Sequence, residues 1–156
     1  MMELYRITQE LYSTDLSGNG SRIFGGRWNS EGHYALYTSA NRSLALLETL
    51  AHVPAKFFRA KKYMLVTVFV PDKASLRFIE EKDLPGNWDA LDVLHVTQKI
   101  GDNFLDEQKG LVLRVPSVLM PEEFNYIINP LHSSMKQVKV IHQRAIRFND
   151  RLIKSF

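Results

Sequence analysis

The chain has 156 residues, 45% of them hydrophobic and 24% charged, with a net charge of +3 and a pI near 9.2. One domain of this size buries roughly 70% of its unfolded surface, so it can build a core without staples, and this composition excludes an intrinsically disordered chain. The basic excess is too small for a nucleic-acid footprint, and the lack of cysteine removes disulfides, thiolate metal sites and cysteine nucleophiles together.

The opening Met1-Met2-Glu3-Leu4-Tyr5-Arg6 lacks a signal-peptide profile, and the longest apolar run, 63–71, is too short to span a bilayer. The expected location is the cytoplasm, with no membrane partner. Residues 2–8 read as a short strand, Tyr5 and Ile7 on one face and Leu4 and Arg6 on the other. A long connection, 9–30, follows. It holds Gly18, Gly20, Gly25 and Gly26, half of all eight glycines, and its embedded Ile23, Phe24 and Trp28 favour a docked, functional loop. Residues 34–39 read as a strand, then a helix from an N-cap at Ser39 or Asn41 through Leu44-Ala45-Leu46-Leu47-Glu48 to Ala51, closed by Pro54. Leu44, Leu47 and Ala51 share its apolar stripe with Glu48 at the edge.

Residues 62–70 form the most continuous apolar strand and are expected at the centre of the sheet. A short strand at 76–79, a turn at 84–88 and a helix over 92–107 come next, with Gly101 weakening the helical pattern. Strands are expected at 111–117 and 125–129, each stopped by proline, and as two separate segments at 138–141 and 145–148. The pattern predicts a single α+β domain over residues 1–156, of mixed architecture.

The segment Gly25-Gly26-Arg27-Trp28-Asn29 carries the strongest chemical signal. Glycines allow close backbone approach, Arg offers a cationic fork and Trp a flat ring, a combination suited to an anionic, planar ligand. Arg6, Arg27, Tyr37, Glu48 and Ser117 fall at or near element ends. Taken singly, Glu48 reads as a solvated helix residue, Tyr37 as strand packing and Ser117 as a turn or cap. Gly18-Asn19-Gly20-Ser21-Arg22-Ile23 lacks the third glycine of a dinucleotide fingerprint and a credible following helix. The five histidines are scattered, which argues against a metal site, and no nucleophile elbow is present. Arg59, Lys61 and Lys62 beside Phe57 and Phe58 form the best basic-aromatic patch, most simply a solvated helix-to-strand connection.

The order Gly26-Arg27-Trp28-Asn29, Gly32, Tyr37-Thr38-Ser39, Ala45-Leu46-Leu47-Glu48, Val115-Pro116-Ser117 and Asn125-Tyr126-Ile127-Ile128-Asn129-Pro130-Leu131-His132 resembles the RES domain, over essentially the whole chain. The family is one of bacterial toxins of RES/Xre-type toxin–antitoxin pairs. The resemblance implies a fold similar to ADP-ribosyltransferases of the diphtheria-toxin type. It implies an activity that consumes NAD+ as glycohydrolase or phosphorylase, or as an ADP-ribosyltransferase acting on a protein. By motif, the catalytic residues are Arg27, Tyr37, Glu48 and Ser117. Arg6 and Asn125 stand in matching segments as substrate-binding residues, with Gly26 and Trp28 of the glycine loop. Ser133 replaces the proline that often follows the family's histidine. NAD+ is then the substrate, so no resident cofactor is expected. The partner is an antitoxin with a helix-turn-helix DNA-binding part that makes any DNA contact itself, and homodimerisation is compatible with the sequence. The reading from another class is a nucleic-acid-binding or RNA-cleaving module, suggested by the basic pI and the Arg27-Trp28 loop.

Overall fold

The computed structural model describes residues 2–153. Seven strands form one mixed sheet: β1 (Met2–Gln9), β2 (Leu36–Ser39), β3 (Tyr63–Val70), β4 (Leu76–Phe78), β5 (Val112–Pro116), β6 (Phe124–Ile128) and β7 (Lys139–Ile146). Their order is β4-β5-β6-β2-β1-β3-β7, antiparallel except for the parallel β4–β5 pair. The helices are α1 (Asn19–Phe24), α2 (Arg42–His52), α3 (Ala55–Ala60) and α4 (Leu94–Glu107).

Strand periodicity explains the division of the core. On one face Leu4, Leu36, Val66, Val68, Val112 and Ile128 form a buried cluster closed by Val138. Their alternates face the helices: Leu113, Val115 and Ile127 pack with Phe104 and Leu105 of α4, Tyr5 and Leu65 with Ala45 of α2, and Tyr63 with Phe58 of α3. β3 is covered on both faces, hence its continuous apolar run. Yet it lies between β1 and β7, one place in from the edge.

Several expectations need correction. The region 138–148 is not two strands: β7 runs unbroken from Lys139 to Ile146, and a bulge opposite Thr67/Val68 absorbs the interruption in its pattern. The connection from 9 to 30 holds the short helix α1, directly at Asn19-Gly20. It joins antiparallel strands and belongs to no βαβ unit, so the context for a dinucleotide fingerprint is still missing. Pro54 ends α2 and also opens α3, the helix that carries Phe57, Phe58 and Arg59. Asn41 is the N-cap of α2, its side chain accepting from the Leu44 N–H at 2.8 Å.

β1 and β2 pair only at Tyr5↔Ser39 among the described residues. Beyond that point the two strands part. Residues 5–8 of one and 36–39 of the other line the cleft that opens between them.

Candidate active site

The cleft encloses about 740 Å3. Its polar floor comes from a row across adjacent strands, because register places Val115 opposite Asn125 and Asn125 opposite Ser39. Asn125 shares the helix-facing side of β6 with Ile127, so its amide points at α2. Glu48 descends from α2 onto this row. Its Oε1 accepts from Ser117 Oγ at 2.7 Å and from Asn125 Nδ2 at 2.7 Å, and Asn125 Oδ1 in turn accepts from Ser39 Oγ at 2.7 Å. Ser117 Oγ also accepts from the N–H groups of Leu119 and Met120, which fixes the hydroxyl toward the carboxylate. One carboxylate oxygen is therefore locked. The other, Oε2, stands 3.6 Å from His52 Nδ1, whose firm partner is the Glu48 carbonyl at 2.7 Å.

The glycine loop forms the opposite wall, and α4 holds it in place. Thr97 Oγ1 donates to the Arg27 carbonyl at 2.6 Å and Gln98 Nε2 to the Gly26 carbonyl at 3.0 Å. Asp102 accepts from the Ser30 N–H and hydroxyl at 2.9 and 2.5 Å. Positions 97, 98, 101 and 102 share one helix face, and a Cβ at Gly101 would lie 1.6 Å from the Trp28 carbonyl oxygen. The residue that weakens the helical pattern is the one that lets this helix touch the loop.

Arg27 donates to the carbonyls of Trp88, Asp89 and Ala90 at 3.2, 3.3 and 3.4 Å. Those carbonyls orient the guanidinium without cancelling its charge. Trp28, taken from sequence as a substrate-binding ring, is 2% exposed and packs against Trp88 at 6.2 Å between centroids. It borders the cleft, but its main work is in the core. Gly26 is required for a similar reason to Gly101, since a Cβ there would stand 2.7 Å from the Tyr37 hydroxyl.

Tyr37 lines the cleft, while its hydroxyl is fully engaged beneath the loop, accepting from the Trp28 N–H at 2.9 Å and donating to Asn29 Oδ1 at 2.6 Å. Burial pushes its pKa well up, with the Asp102 charge adding and the hydrogen bond from Trp28 and the Arg27 charge opposing. A raised pKa keeps the folded phenol protonated where the unfolded one ionises. Its contribution to stability is complete below about pH 10 and is lost as pH rises further. Tyr37→Phe should cost about 2 kcal/mol at neutral pH, since it strands one buried donor and one acceptor. Denaturant unfolding near neutrality and near pH 10.5 checks both statements: wild type should lose more of its stability at the alkaline value than the variant does.

Arg6 also lines the cleft and donates to the Asp15 carbonyl at 2.6 Å. Burial pulls its pKa below the usual value, partly offset by the Asp15 carboxylate. Asp15 is itself lowered, chiefly by hydrogen bonds from Ser17. The structure thus gathers Arg6, Gly26, Arg27, Tyr37, Glu48 and Asn125 around one cleft, with Ser117 buried behind Glu48. The basic-aromatic patch lies elsewhere. Arg59 donates to the Ile153 carbonyl and Lys62 pairs with Glu10 at 2.7 Å, so neither is reserved for a ligand. Asp15, Thr97, Gln98 and Asp102 escape a sequence reading, because their partners lie as far as 72 positions away and no local pattern marks them.

The fold is that of a solved toxin. The crystal structure of the M. tuberculosis MbcT–MbcA toxin–antitoxin complex superposes with a TM-score of 0.77 over 94% of this chain and 84% of the matched chain, at 19% identity. The profile of the RES domain matches residues 3–149. A Sphingobium protein named Prs ADP-ribosylating toxin is 38% identical over 142 residues, 90% of this chain and 88% of its own. Toxin Res of Yersinia enterocolitica is 33% identical over 153 residues, covering 97% of this chain and 99% of that protein. This chain belongs to the RES domain family of toxins.

Proposed function

We propose that this protein is the toxin of a toxin–antitoxin pair and destroys NAD+ by cleaving the bond between nicotinamide and ribose. The observation that carries this reading is the Glu48 carboxylate, one oxygen clamped by Ser117 and Asn125, in a cleft that also presents Arg6 and Arg27. The ADP-ribosyltransferase-like fold that the sequence resemblance implies belongs to the same reading.

Cleavage leaves the electron pair of the C–N bond on nicotinamide, which departs neutral, and positive charge develops at the ribose carbon. A fixed carboxylate beside that carbon lowers the barrier because it is oriented before charge appears. Glu48 Oε2, 3.6 Å from His52 Nδ1 and outside the Ser117–Asn125 clamp, performs this task and takes the proton of an incoming water. Phosphate, as acceptor, would give the phosphorylated ADP-ribose instead. Arg27 and Arg6 supply charge-assisted hydrogen bonds for the pyrophosphate. Tyr37 offers its ring to the nicotinamide. NAD+ in this scheme is a consumed substrate, and the site of action is the cytoplasm.

The 38% identity to a protein named as an ADP-ribosylating toxin favours one further reading, transfer of ADP-ribose to a protein acceptor. Purified toxin incubated with NAD+, with and without phosphate, separates the outcomes by mass spectrometry: ADP-ribose, its phosphorylated form, or an adduct that appears only when cell extract is supplied. Intact NAD+ under all three conditions would remove the proposal. The partner is an antitoxin, a reading supported by the toxin–antitoxin complex that shares the fold. Its helix-turn-helix part follows from the family resemblance.

A further inference from the structure

We infer that the exposed aromatic rim of the cleft, Tyr12 and Phe24, is the seat of a purine base, so that the site selects a dinucleotide over nicotinamide mononucleotide. The inference rests on the reading of the cleft as an NAD+ site and adds to it which end of the ligand is discriminated.

Within fourteen positions Leu11 is 79% exposed, Tyr12 48%, Ile23 46% and Phe24 80%. Large apolar side chains left in water around the mouth of one cleft, here Tyr12, Ile23 and Phe24, mark a binding surface. Tyr12, Ile23 and Phe24 belong to the lining of the same cleft that holds Glu48, Arg6 and Arg27, which ties them to its ligand and not to a separate face. The lining thereby supplies three chemistries: a carboxylate, two guanidinium groups and aromatic rings. A dinucleotide presents their complements as a cationic nicotinamide riboside, a pyrophosphate and a base. At about 740 Å3 the cleft lies in the upper part of the range for small-molecule sites, roughly 300–1,000 Å3, with room for a second ring system.

The rim is held ready. Behind α1, Asn29 Nδ2 donates to the Ser21 carbonyl at 2.9 Å, the Gly32 N–H to the Arg22 carbonyl at 2.8 Å, and the Arg22 guanidinium covers the Tyr34 ring at 5.3 Å. Anchoring this side of α1 leaves Ile23 and Phe24 presented outward. Every base has a π-face, so such rings bind one without hydrogen-bond readout.

The test compares kcat/KM for NAD+ and for nicotinamide mononucleotide in wild type, Phe24→Ala, Tyr12→Ala and Phe24→Trp, with AMP binding measured by calorimetry on each. Both alanine variants should lose about tenfold with NAD+ and weaken AMP by a similar factor, while turnover of the mononucleotide holds and Phe24→Trp keeps the preference. Equal effects on both substrates, or none on either, overturn the inference. So does a loss confined to antitoxin neutralisation, which would make the rim a protein-docking surface. If wild type consumes neither nucleotide, the NAD+ reading has failed and AMP decides separately. Binding that weakens in Phe24→Ala keeps the base seat for another substrate, and no binding removes it.

Discussion

Glu48→Gln is expected to lower NAD+ cleavage by about 100- to 1,000-fold without disturbing the fold. Glutamine is nearly isosteric and keeps an oxygen at the Oε1 position, so Ser117 Oγ and Asn125 Nδ2 retain their acceptor. What disappears is the negative charge proposed to face the ribose carbon. Ser117→Ala and Asn125→Ala keep the charge and each release one of its two anchors. They should fall between, about tenfold down, which matches the loss of one hydrogen bond to a charged group, about 1.5 kcal/mol. Parallel rates and melting temperatures for the series separate chemistry from stability. A Glu48→Gln protein that cleaves NAD+ at the wild-type rate would end the proposed role.

Gly101→Ala should be the most destabilising single-methyl change in the chain. The new carbon would lie 1.6 Å from the Trp28 carbonyl oxygen and 2.6 Å from its carbon, contacts that no side-chain rotation can relieve because both atoms are backbone. α4 must retreat, and with it the bonds from Thr97 to the Arg27 carbonyl and from the Ser30 N–H to Asp102. Overpacking of this kind costs about 3 kcal/mol or more, near 10 °C in Tm for a domain of this length. Gly86→Ala is the control. Nothing lies within 4 Å of its Cβ position, so it should stay within about 0.5 kcal/mol of wild type. If Gly101→Ala melts with the control, the contact between helix and loop is softer than its geometry implies. Activity carries a second readout, since a loosened loop no longer presents Arg27 at a fixed place.

Elements with one strong pattern were readable from the residues. β1, β5 and β6 announce themselves by alternation or by proline stops, α2 by its Asn41 cap and apolar stripe, and β3 by cover on both faces. Short helices were not. α1 and α3 have six residues each, too few for a helical period to register, and β7, exposed along most of its length, read as two segments instead of one strand. At the site, the order of motifs named Tyr37, Glu48, Ser117 and Asn125 through family resemblance alone, while Arg27 also stood out by its chemistry within the glycine loop. Physical chemistry explains afterwards why they meet: three adjacent strands end at the same level beneath α2. Trp28 shows the opposite case. A tryptophan beside an arginine in a glycine loop reads as a ligand platform, and only its contact with Trp88, sixty positions on, reveals a core residue.

The Glu48 clamp closes only once the C-terminal part of the chain is in place. Its two donors stand 69 and 77 positions downstream, on β5's exit and on β6. A growing chain that has emerged only as far as residue 110 already holds Arg6, Arg27, Tyr37 and Glu48, yet it lacks the strands that aim the carboxylate. Contacts this distant in sequence are among the last that folding can close. A chain that stops before residue 117 therefore lacks both donors of the Glu48 clamp and leaves its carboxylate unaimed.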